Sequence, residues 1–545
     1  MTRHIVAIGD VGVASAFHVG DEAMLEAALA EVGARQDVRW TVVSAQPAES
    51  ARRYGVTTVP RLGFAGLTTP QEREDRLTAV TAAATGGDRL AADDPAQALL
   101  DAVAAADAVL VTGGGNLTST WPEHVYERAA LAAVAAARRT PLVVTGQGLG
   151  PQLAGRDGEL VSAALTGAQL VGVREEASAD LARRLGVPAD RVRCAVDDAT
   201  FLADAPVPGL LEQLGTRPGG FVAATFSESF GWYPATELVA PLAALLDEIA
   251  ERTGRDVLLI PHVGTPDEAP THDLAFHEAL VGASRSGRVS AAPLLASREV
   301  AWLTRQAALV VSSRYHPVVF GLSAGVPSVA VAVDDYTEQK LRGVLALAGL
   351  ESWCVSVLGL QSGVLRDAVL EAWDRRDELA GHLRQVLGPL RQQKADYWDA
   401  VSAALAGGSG APPAGDPAPA PAEASAQGPW TARNADALHA TRLFAARRGD
   451  WERERCALHG ASMAARAQAH AAREAAAAAL DQVATLTEMI DAERAASDAV
   501  RELNAELWRG RGHHVAELEA IHRTKIMRWT RVPRAVYGAV RETRA

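Results

Sequence analysis

The stretch Ser312-Ser313-Arg314-Tyr315-His316-Pro317-Val318-Val319 joins two patterns of different kinds. It follows an apolar run, Ala307 to Val311, that is typical of a buried strand, and it opens a run, Val318 to Ala324, that is typical of a helix. Proline is favoured at the first position of a helix, where its missing N–H costs nothing. We therefore predict that Pro317 begins the helix and that His316 is its N-cap.

The start of this predicted helix has the features of a site for a small anion. A helix N-terminus attracts negative charge, and here it offers the free N–H groups of Val318 and Val319, with Ser313 close by. Arg314 adds a guanidinium fork suited to a carboxylate or a phosphate. His316 adds an imidazole with an ordinary pKa of about 6.5, which suits proton transfer. The combination predicts an acidic substrate.

Strand-like and helix-like segments alternate through residues 1–205 and again through residues 206–405. This alternation predicts the α/β class, with mostly parallel sheets covered on both faces. We therefore expect two consecutive doubly wound, Rossmann-like domains with a cleft between them. Open parallel sheets of this kind bind ligands at the carboxyl ends of their strands. Trp232, Tyr233 and His262 follow strands of the second domain and are weaker candidates for contacts in that cleft.

The chain after residue 405 has a different composition. Residues 406–428 are rich in Pro, Ala and Gly, which predicts a flexible linker. Residues 429–522 are rich in Ala, Arg and Glu and predict a helical region, interrupted at Gly510 and Gly512. One apolar stripe along it suits a coiled coil or a helical hairpin and hence homo-oligomer formation. The stripe consists of Leu480, Val483, Leu486, Ile490, Val500, Leu503 and Leu507.

Charge and composition limit the classes of partner. The formal net charge of −13 argues against general nucleic-acid binding. Residues 523–545 are an exception, with seven basic residues and one acid. This amphipathic tail suits either an anionic membrane surface or a solvated, dimer-docking helix. The three cysteines are far apart, and no signal peptide or membrane-spanning run is visible, so we expect a cytoplasmic protein, with the tail as a means of binding the inner membrane face.

Several glycine-rich or polar clusters follow predicted strands, which places them at one rim of each sheet. They are Gly9-Asp10, Gly113-Gly114-Gly115-Asn116, Gly146-Gln147-Gly148, Arg174-Glu175-Glu176, Asp197-Asp198 and Ser313-Arg314. Each cluster alone is equally well explained by the backbone demands of a tight turn. Their shared placement is what indicates a site.

The chain resembles the polysaccharide pyruvyl transferase family over residues 1 to about 355. The matching motifs, in order, are His18-Val19-Gly20-Asp21-Glu22-Ala23-Met24-Leu25, Val111-Thr112-Gly113-Gly114-Gly115-Asn116-Leu117, Gly146-Gln147-Gly148-Leu149-Gly150-Pro151, Val171-Gly172-Val173-Arg174-Glu175, Ser313-Arg314-Tyr315-His316 and Gly321-Leu322-Ser323-Ala324-Gly325-Val326-Pro327. The chain departs from the family pattern at His18, where Asn is usual, in the long apolar segment 11–17, and at Asp197-Asp198, where Asp-Pro is common.

The resemblance implies a GT-B-like architecture and transfer of a pyruvyl group from phosphoenolpyruvate to a glycan or lipid-linked sugar of the cell envelope, as a cyclic ketal. In that scheme Arg174 and Arg314 bind the donor, with Ser313, Val318 and Val319 beside it, and His316 is the general acid, its pKa raised by a nearby anion. The first domain takes the acceptor, with Asp21 or Glu22 orienting or deprotonating its hydroxyl. Gly114, Asn116 and Gln147 complete the acceptor side. Neither a metal nor a cofactor is required.

Two other functions fit the same residues. A glycosyltransferase of similar architecture can hold a nucleotide diphosphate at the same arginine and helix start. Alternatively, the first 400 residues form a non-catalytic binding domain, and the helical region serves as a scaffold or membrane adaptor. A donor screen distinguishes the three.

Overall fold

The computed structural model describes residues 2–12, 17–87, 90–153, 155–228, 234–265, 271–408 and 421–523. Compact packing divides the chain into two units, Met1–Asp450 and Trp451–Ala545. Trp232, Tyr233 and nearly all of the basic tail, residues 524–545, lie outside the described residues. Among the described residues, no helix is both long enough and apolar enough to cross a bilayer.

The first lobe of the larger unit is built on a parallel sheet in the order β4-β3-β1-β5-β7-β8-β9, with β6 beside β7. Its strands are apolar on both faces, as expected for a sheet covered by helices on each side. The strands are β1 (Arg3–Ile8), β2 (Phe17–His18), β3 (Val38–Ser44), β4 (Thr57–Pro60), β5 (Ala108–Val111), β6 (Gly114–Leu117), β7 (Leu142–Leu149), β8 (Leu170–Val173) and β9 (Val192–Cys194). The helices are α1 (Val19–Gly33), α2 (Pro47–Tyr54), α3 (Pro70–Ala84), α4 (Ala96–Ala104), α5 (Pro122–Arg138), α6 (Gly155–Thr166) and α7 (Glu176–Arg184).

The second lobe has a parallel sheet in the order β13-β11-β10-β14-β15-β16. Its strands are β10 (Phe221–Thr225), β11 (Asp256–Leu259), β12 (Val263–Gly264), β13 (Val289–Ala291), β14 (Leu309–Ser312), β15 (Ser328–Ala332) and β16 (Cys354–Ser356). Its helices are α8 (Leu210–Gln213), α9 (Ala235–Thr253), α10 (His272–Ala283), α11 (Ser297–Arg305), α12 (Tyr315–Ser323), α13 (Asp335–Ala346), α14 (Val364–Asp374), α15 (Arg376–Leu405) and α16 (Trp430–Arg523). The two parallel sheets confirm the α/β class and the doubly wound pattern predicted for each half.

The strands β2 and β12 pair antiparallel and connect the two lobes. His18 lies opposite Val263, and the amide of Val19 donates to the carbonyl of His262 at 3.0 Å. The start of α1 is thereby fixed to the second lobe. This pairing was not predicted, because both strands have only two residues and leave no periodic pattern in the sequence.

Helix α15 returns from the second lobe to the first. Tyr397, Trp398 and Val401 pack in one apolar cluster with Ile5 and Ala7 of the first sheet. The domain boundary predicted at residue 405 is therefore wrong for the second half of α15, which belongs to the core of the first lobe. Arg375 separates α15 from the preceding helix α14.

The end of the predicted linker and the start of the helical region also belong to the second lobe. Trp430 is 1% exposed and donates from its indole nitrogen to Glu371 at 2.7 Å. The Asn434 side chain accepts from the amide of Ser356 and donates to the carbonyl of Cys354, which extends the edge of the sheet at β16. The prediction of a flexible linker over residues 406–428 is thus wrong for residues 421–428. The packed lobe extends into α16.

Helix α16 continues without interruption through Gly510 and Gly512, so the predicted break is wrong and a helical hairpin is excluded for its span. Two isolated glycines lower helix stability by only about 1 kcal/mol each, which the flanking helix formers offset. The seven residues of the predicted apolar stripe are 50% to 70% exposed. Coiled-coil pairing of this stripe stays a prediction.

Candidate active site

Helix α12 begins two residues earlier than predicted. Arg314, not His316, is the N-cap, and Pro317 is the third helical residue. The hydroxyl of Ser312 accepts from the amide of Arg314 at 2.9 Å and so fixes the turn into the helix. Only the first four N–H positions of a helix lack internal partners. Counted from the N-cap Arg314, these positions end at Pro317, and Val318 and Val319 lie beyond them and are fully buried. A contact of their amides with a donor stays a prediction.

Ser313 is also part of the framework of this turn. Its side chain is almost buried, and its hydroxyl accepts from the amide of Ser227 at 3.0 Å. This bond ties the end of β14 to the end of β10, so Ser313 supports the loop that carries Arg314. A direct contact of Ser313 with a donor stays a prediction.

Arg174 lies at the carboxyl end of β8 and reaches the start of α12. Its guanidinium is 3% exposed, donates to Asp197 at 3.1 Å, and lies 3.6 Å from a carboxylate oxygen of Glu175. It also stacks on the ring of Tyr315, 4.2 Å from the ring centre. Arg174 of the first lobe and the helix start of the second lobe therefore meet, as the sequence predicted.

His316 is enclosed between the lobes. Its Nε2 atom lies 3.8 Å from Asp197 and has no hydrogen-bond partner among the described residues. Burial, and after it the charge of Arg174, lowers the pKa of His316 to about 3. In the protein without a bound anion, desolvation and a neighbouring cation outweigh the attraction of nearby acids, and the rise of this pKa beside a donor anion stays a prediction.

Arg314 is held in place by a buried acid. Its guanidinium donates to both carboxylate oxygens of Asp273, at 3.2 and 2.5 Å, and its side chain is 29% exposed. Asp273 also accepts from the amides of His262 and Val263. Burial would raise the pKa of Asp273, but Arg314 and its other partners keep it below its ordinary value. The arginine is a fixed cation at the edge of the cleft.

His262, a weaker candidate from the sequence, is buried beside this group. Its ring stacks on Phe320, with 6.0 Å between the ring centres. Burial, followed by the charge of His316, lowers the pKa of His262 well below its ordinary value. His262 is therefore neutral and packs behind the site.

Lys340 is the cation that the sequence analysis missed. It projects from α13 onto the ring of Tyr336, 4.1 Å from the ring centre, and the charges of Arg174 and Arg314 both act on it. Burial, then Arg174, lowers its pKa to about 7. Among the described residues, no carboxylate lies within ion-pair distance of its ammonium group. The sequence did contain a signal for this region. Asp334 and Asp335 follow β15, so the start of α13, the helix that carries Lys340, lies at the same sheet edge as Arg314.

Two acids predicted on the acceptor side have different surroundings. Asp21 is partly exposed and lies 3.6 Å from His18. Burial would lower the pKa of His18, but its bond to Asp21 raises it. Glu22 is buried and accepts from the amide of Gly12 at 2.9 Å, and burial raises its pKa to about 7. Asp21 therefore remains accessible to solvent, while Glu22 supports the turn after β1.

The predicted acceptor residues of the glycine-rich loops, Gly114, Asn116 and Gln147, lie close together but are largely buried. Gln147 donates from its amide nitrogen to the carbonyl of Thr112 at 2.5 Å. The neighbouring Gly115 lies against the other lobe, because its carbonyl accepts from the Tyr336 hydroxyl at 2.6 Å. The loops bring the lobes together, and their contact with an acceptor stays a prediction.

A cavity of about 1130 Å³ lies behind α13 rather than between the cations. It is lined by residues of α7, α13 and α15, including Glu175, Gln339 and Gly343. None of Arg174, Arg314, His316 and Lys340 lines it. In the described part of the chain, no cluster of three His, Cys, Asp or Glu side chains is arranged to hold a metal ion.

A family model described as polysaccharide pyruvyl transferase matches residues 18–335, more than half of the chain. The chain belongs to the polysaccharide pyruvyl transferase family. Arg174, Arg314 and His316 fall within the matched span, and Lys340 lies just beyond it. The membership confirms the resemblance that the motifs indicated. No protein of curated function matches the sequence significantly.

Solved structures similar to this pyruvyl transferase family member include two UDP-GlcNAc 2-epimerases. The enzyme from Neisseria meningitidis, bound to UDP-GlcNAc, is 12% identical, with 74% of this chain and 100% of that chain covered and a TM-score of 0.46. The enzyme from Methanocaldococcus jannaschii is 11% identical, with 69% and 92% covered and a TM-score of 0.44. Anabaena Alr3699/HepE in complex with UDP and glucose is 14% identical, with 72% and 95% covered and a TM-score of 0.44.

Proposed function

We propose that this protein transfers the pyruvyl group of phosphoenolpyruvate to two hydroxyls of a sugar in a cell-envelope polysaccharide or its precursor. The products are a cyclic ketal and phosphate. The observation that carries the proposal is that Arg174 of the first lobe stacks on Tyr315 at the start of α12, where Arg314 and His316 of the second lobe lie. The charges of Arg174 and Arg314 also act on the pKa of Lys340. Family membership supports the class of reaction.

The three cations differ in how much charge they have to offer a ligand. Arg174 and Arg314 are paired with Asp197 and Asp273, which fix the position of each guanidinium. Lys340 has no such partner among the described residues, so its charge is available to an anion. A donor with a carboxylate and a phosphate would raise the pKa of Lys340 from about 7 and keep it protonated. The site therefore suits a small polyanion.

His316 is neutral in the free protein and would become charged on donor binding. Protonation near neutral pH needs its pKa to rise from about 3 by some four units, which corresponds to roughly 5 kcal/mol. Opposite charges 4 Å apart interact by about 4 kcal/mol at an effective dielectric constant of 20. A trianion close to the imidazole is therefore sufficient, and the acid would be formed only when the donor is bound.

The balanced reaction uses both hydroxyl protons of the acceptor. A proton adds to C3 of the enol, and the first sugar oxygen bonds to C2. The bond between C2 and the phosphate oxygen then breaks, and the second sugar oxygen takes its place on C2. One hydroxyl proton replaces the proton given to C3, and the other leaves with the phosphate. We assign the proton delivery to C3 to His316 and the charge stabilisation to Arg174, Arg314 and Lys340.

Donor entry requires movement of the lobes. Arg174 and His316 are buried beneath contacts between the lobes, such as the bond from Tyr336 to Gly115. The site would open for binding and close again for reaction, which also excludes water from the cationic centre at C2.

The proposal is tested by incubating the full-length protein with phosphoenolpyruvate and a panel of envelope glycans. We expect phosphate release that depends on the glycan, with a matching gain in the mass of the sugar. His316→Gln should abolish both and leave the melting temperature close to that of the wild type. Transfer that occurs only with a nucleotide sugar would overturn the proposal and favour a glycosyltransferase.

A further inference from the structure

A group of partly exposed polar side chains lies at the carboxyl edge of the first sheet, outside the donor site. Arg61 donates to Asp10 at 2.8 Å and to the Nδ1 atom of His124 at 3.0 Å. The Nε2 atom of His124 lies 3.7 Å from the second carboxylate oxygen of Asp10. All three side chains are 13% to 16% exposed, so part of each is accessible to solvent.

The hydrogen bonds of this group define what it offers to a ligand. Because Nδ1 of His124 accepts from Arg61, its ring proton is on Nε2, which is a donor. Burial would raise the pKa of Asp10, but His124, Arg61 and Arg128 lower it, so the carboxylate is charged and accepts. A donor and an acceptor 3.7 Å apart can bond to two neighbouring hydroxyls of one sugar ring.

Trp121 is placed next to this polar group. It is the N-cap of α5, and His124 lies one helical turn further on. Of the large apolar side chains described before Leu443, that of Trp121 is the most exposed, at 45%. An indole ring left in water one helical turn from His124 presents a flat apolar face of the kind on which the C–H face of a sugar packs.

The turn that carries Trp121 is held at the junction of the lobes. The amide of Ser119 and the hydroxyl of Thr118 both donate to the carbonyl of Gln152, at 2.8 Å each. The side chain of Gln152 in turn donates to Asp335, at the start of α13. Trp121 is therefore positioned by the same contacts that bring α13, and with it Lys340, towards the first lobe.

His18 links this group to the donor cations. His18 lies opposite Val263 in the strand pair β2–β12, and the amide of Val263 donates to Asp273, the partner of Arg314. The His18 ring lies 3.6 Å from Asp21, the partly exposed acid of the acceptor side.

We infer that Trp121, His124, Asp10 and Arg61 form the acceptor subsite and that it binds a neutral hexose ring, with the indole on one face and the Asp10–His124 pair on two adjacent hydroxyls. This inference rests on the proposed function and deepens it, because it names the acceptor-binding residues and the class of ring they take. It moves the main acceptor contacts from Gly114, Asn116 and Gln147, which are largely buried, to the exposed edge beyond β1 and at the start of α5.

The test compares the wild type with Trp121→Ala, Trp121→Phe and His124→Gln in the full-length protein. Leu443→Ala is the matched control, because it removes another exposed large apolar side chain. Binding is followed by saturation-transfer NMR with a panel of methyl hexosides, and transfer is followed by the KM for the best glycan. We expect Trp121→Ala to weaken hexoside binding and raise the acceptor KM about tenfold. Trp121→Phe should recover most of the loss, and His124→Gln should also weaken binding.

Binding of phosphoenolpyruvate at the donor site serves as the control that the variants remain folded. The melting-temperature shift caused by phosphoenolpyruvate should be the same in Trp121→Ala as in the wild type. Hexoside binding by Trp121→Ala equal to that of Leu443→Ala would overturn the subsite, and so would the absence of saturation transfer to any hexoside from the wild type. Hexoside binding that depends on Trp121, without any pyruvyl transfer, would support the subsite and refute the proposed function.

Discussion

The imidazole of His316 packs directly against the backbone of Gly20 across the junction of the lobes. A Cβ atom at Gly20 would lie 1.9 Å from Nδ1 of His316, which is far inside van der Waals contact. The catalytic candidate of the second lobe is therefore positioned by the start of α1 in the first lobe, at a point where only glycine fits.

Gly20→Ala should displace His316 and lower kcat by about 100-fold, because a misplacement of about 1 Å can have that effect. Gly33→Ala is the matched control, since it lies at the end of the same helix with no atom within 4 Å of its added Cβ. Both variants should be compared by kcat for phosphate release. Equal activity of the two variants would show that the position of His316 does not matter for turnover.

Lys340→Met should raise the KM for phosphoenolpyruvate by about 10- to 100-fold, which is the usual effect of losing hydrogen bonds to a charged group. Lys340→Arg keeps the charge and should retain part of the affinity. The measurement is the donor KM at a fixed glycan concentration. A Lys340→Met enzyme with wild-type donor KM would remove this lysine from the donor site.

The low pKa of Lys340 also predicts how stability depends on pH. The folded pKa is about 7 and the ordinary value 10.5, so between them the unfolded chain binds more protons than the folded one. Stability contributed by this group therefore rises with pH through that window, by up to about 1.4 kcal/mol per pH unit. Urea denaturation at several pH values should show a shallower rise in Lys340→Met than in the wild type. Parallel curves would place the wild-type pKa near its ordinary value.

His316 should be neutral in the free protein from about pH 5 to pH 9, because its pKa is about 3. Addition of phosphoenolpyruvate near neutral pH should shift it to the imidazolium form. NMR of the histidine-labelled protein can follow this change, with the signal assigned by its loss in His316→Gln. A midpoint near 6.5 in the free protein would contradict the effects of burial and of Arg174.

The extent of the packed lobe predicts which truncations are tolerated. A chain ending at Asp450 keeps Trp430, Asn434 and Thr441 in the second lobe and should retain its melting temperature and activity. A chain ending at Leu405 loses the buried Trp430, and removal of a buried tryptophan typically costs about 3 to 5 kcal/mol. Thermal unfolding of the two chains measures the difference. Equal melting temperatures would mean that residues 421–450 contribute little to the lobe.

Sequence patterns predicted the fold where the chain repeats them over long stretches. The alternation of strands and helices was recognised in both halves of the chain, because buried parallel strands are continuous apolar runs. The strand pair β2–β12 and the return of α15 were not predicted. Both depend on contacts between residues more than 100 positions apart, such as His18 with Val263 and Ile5 with Trp398, and no local pattern encodes them.

The site was predicted in part for the same reason. Arg174, Arg314 and His316 were found because each follows a strand within a recognisable motif. Lys340 was missed because it lies inside a helix, where the sequence pattern does not distinguish it from an ordinary exposed lysine. The low pKa of His316 in the free protein was not predicted, because it depends on burial between the lobes, which the local sequence does not contain.

The central claim, that the pyruvyl carbon is transferred from phosphoenolpyruvate to two sugar oxygens, is tested most directly with donor labelled with ¹³C at C2. The full-length protein, the labelled donor and an acceptor glycan should give a new ketal carbon signal coupled to the sugar, and none should form with His316→Gln. Label that stays in phosphoenolpyruvate, or that appears only as free pyruvate while a nucleotide sugar supports transfer, would contradict the account.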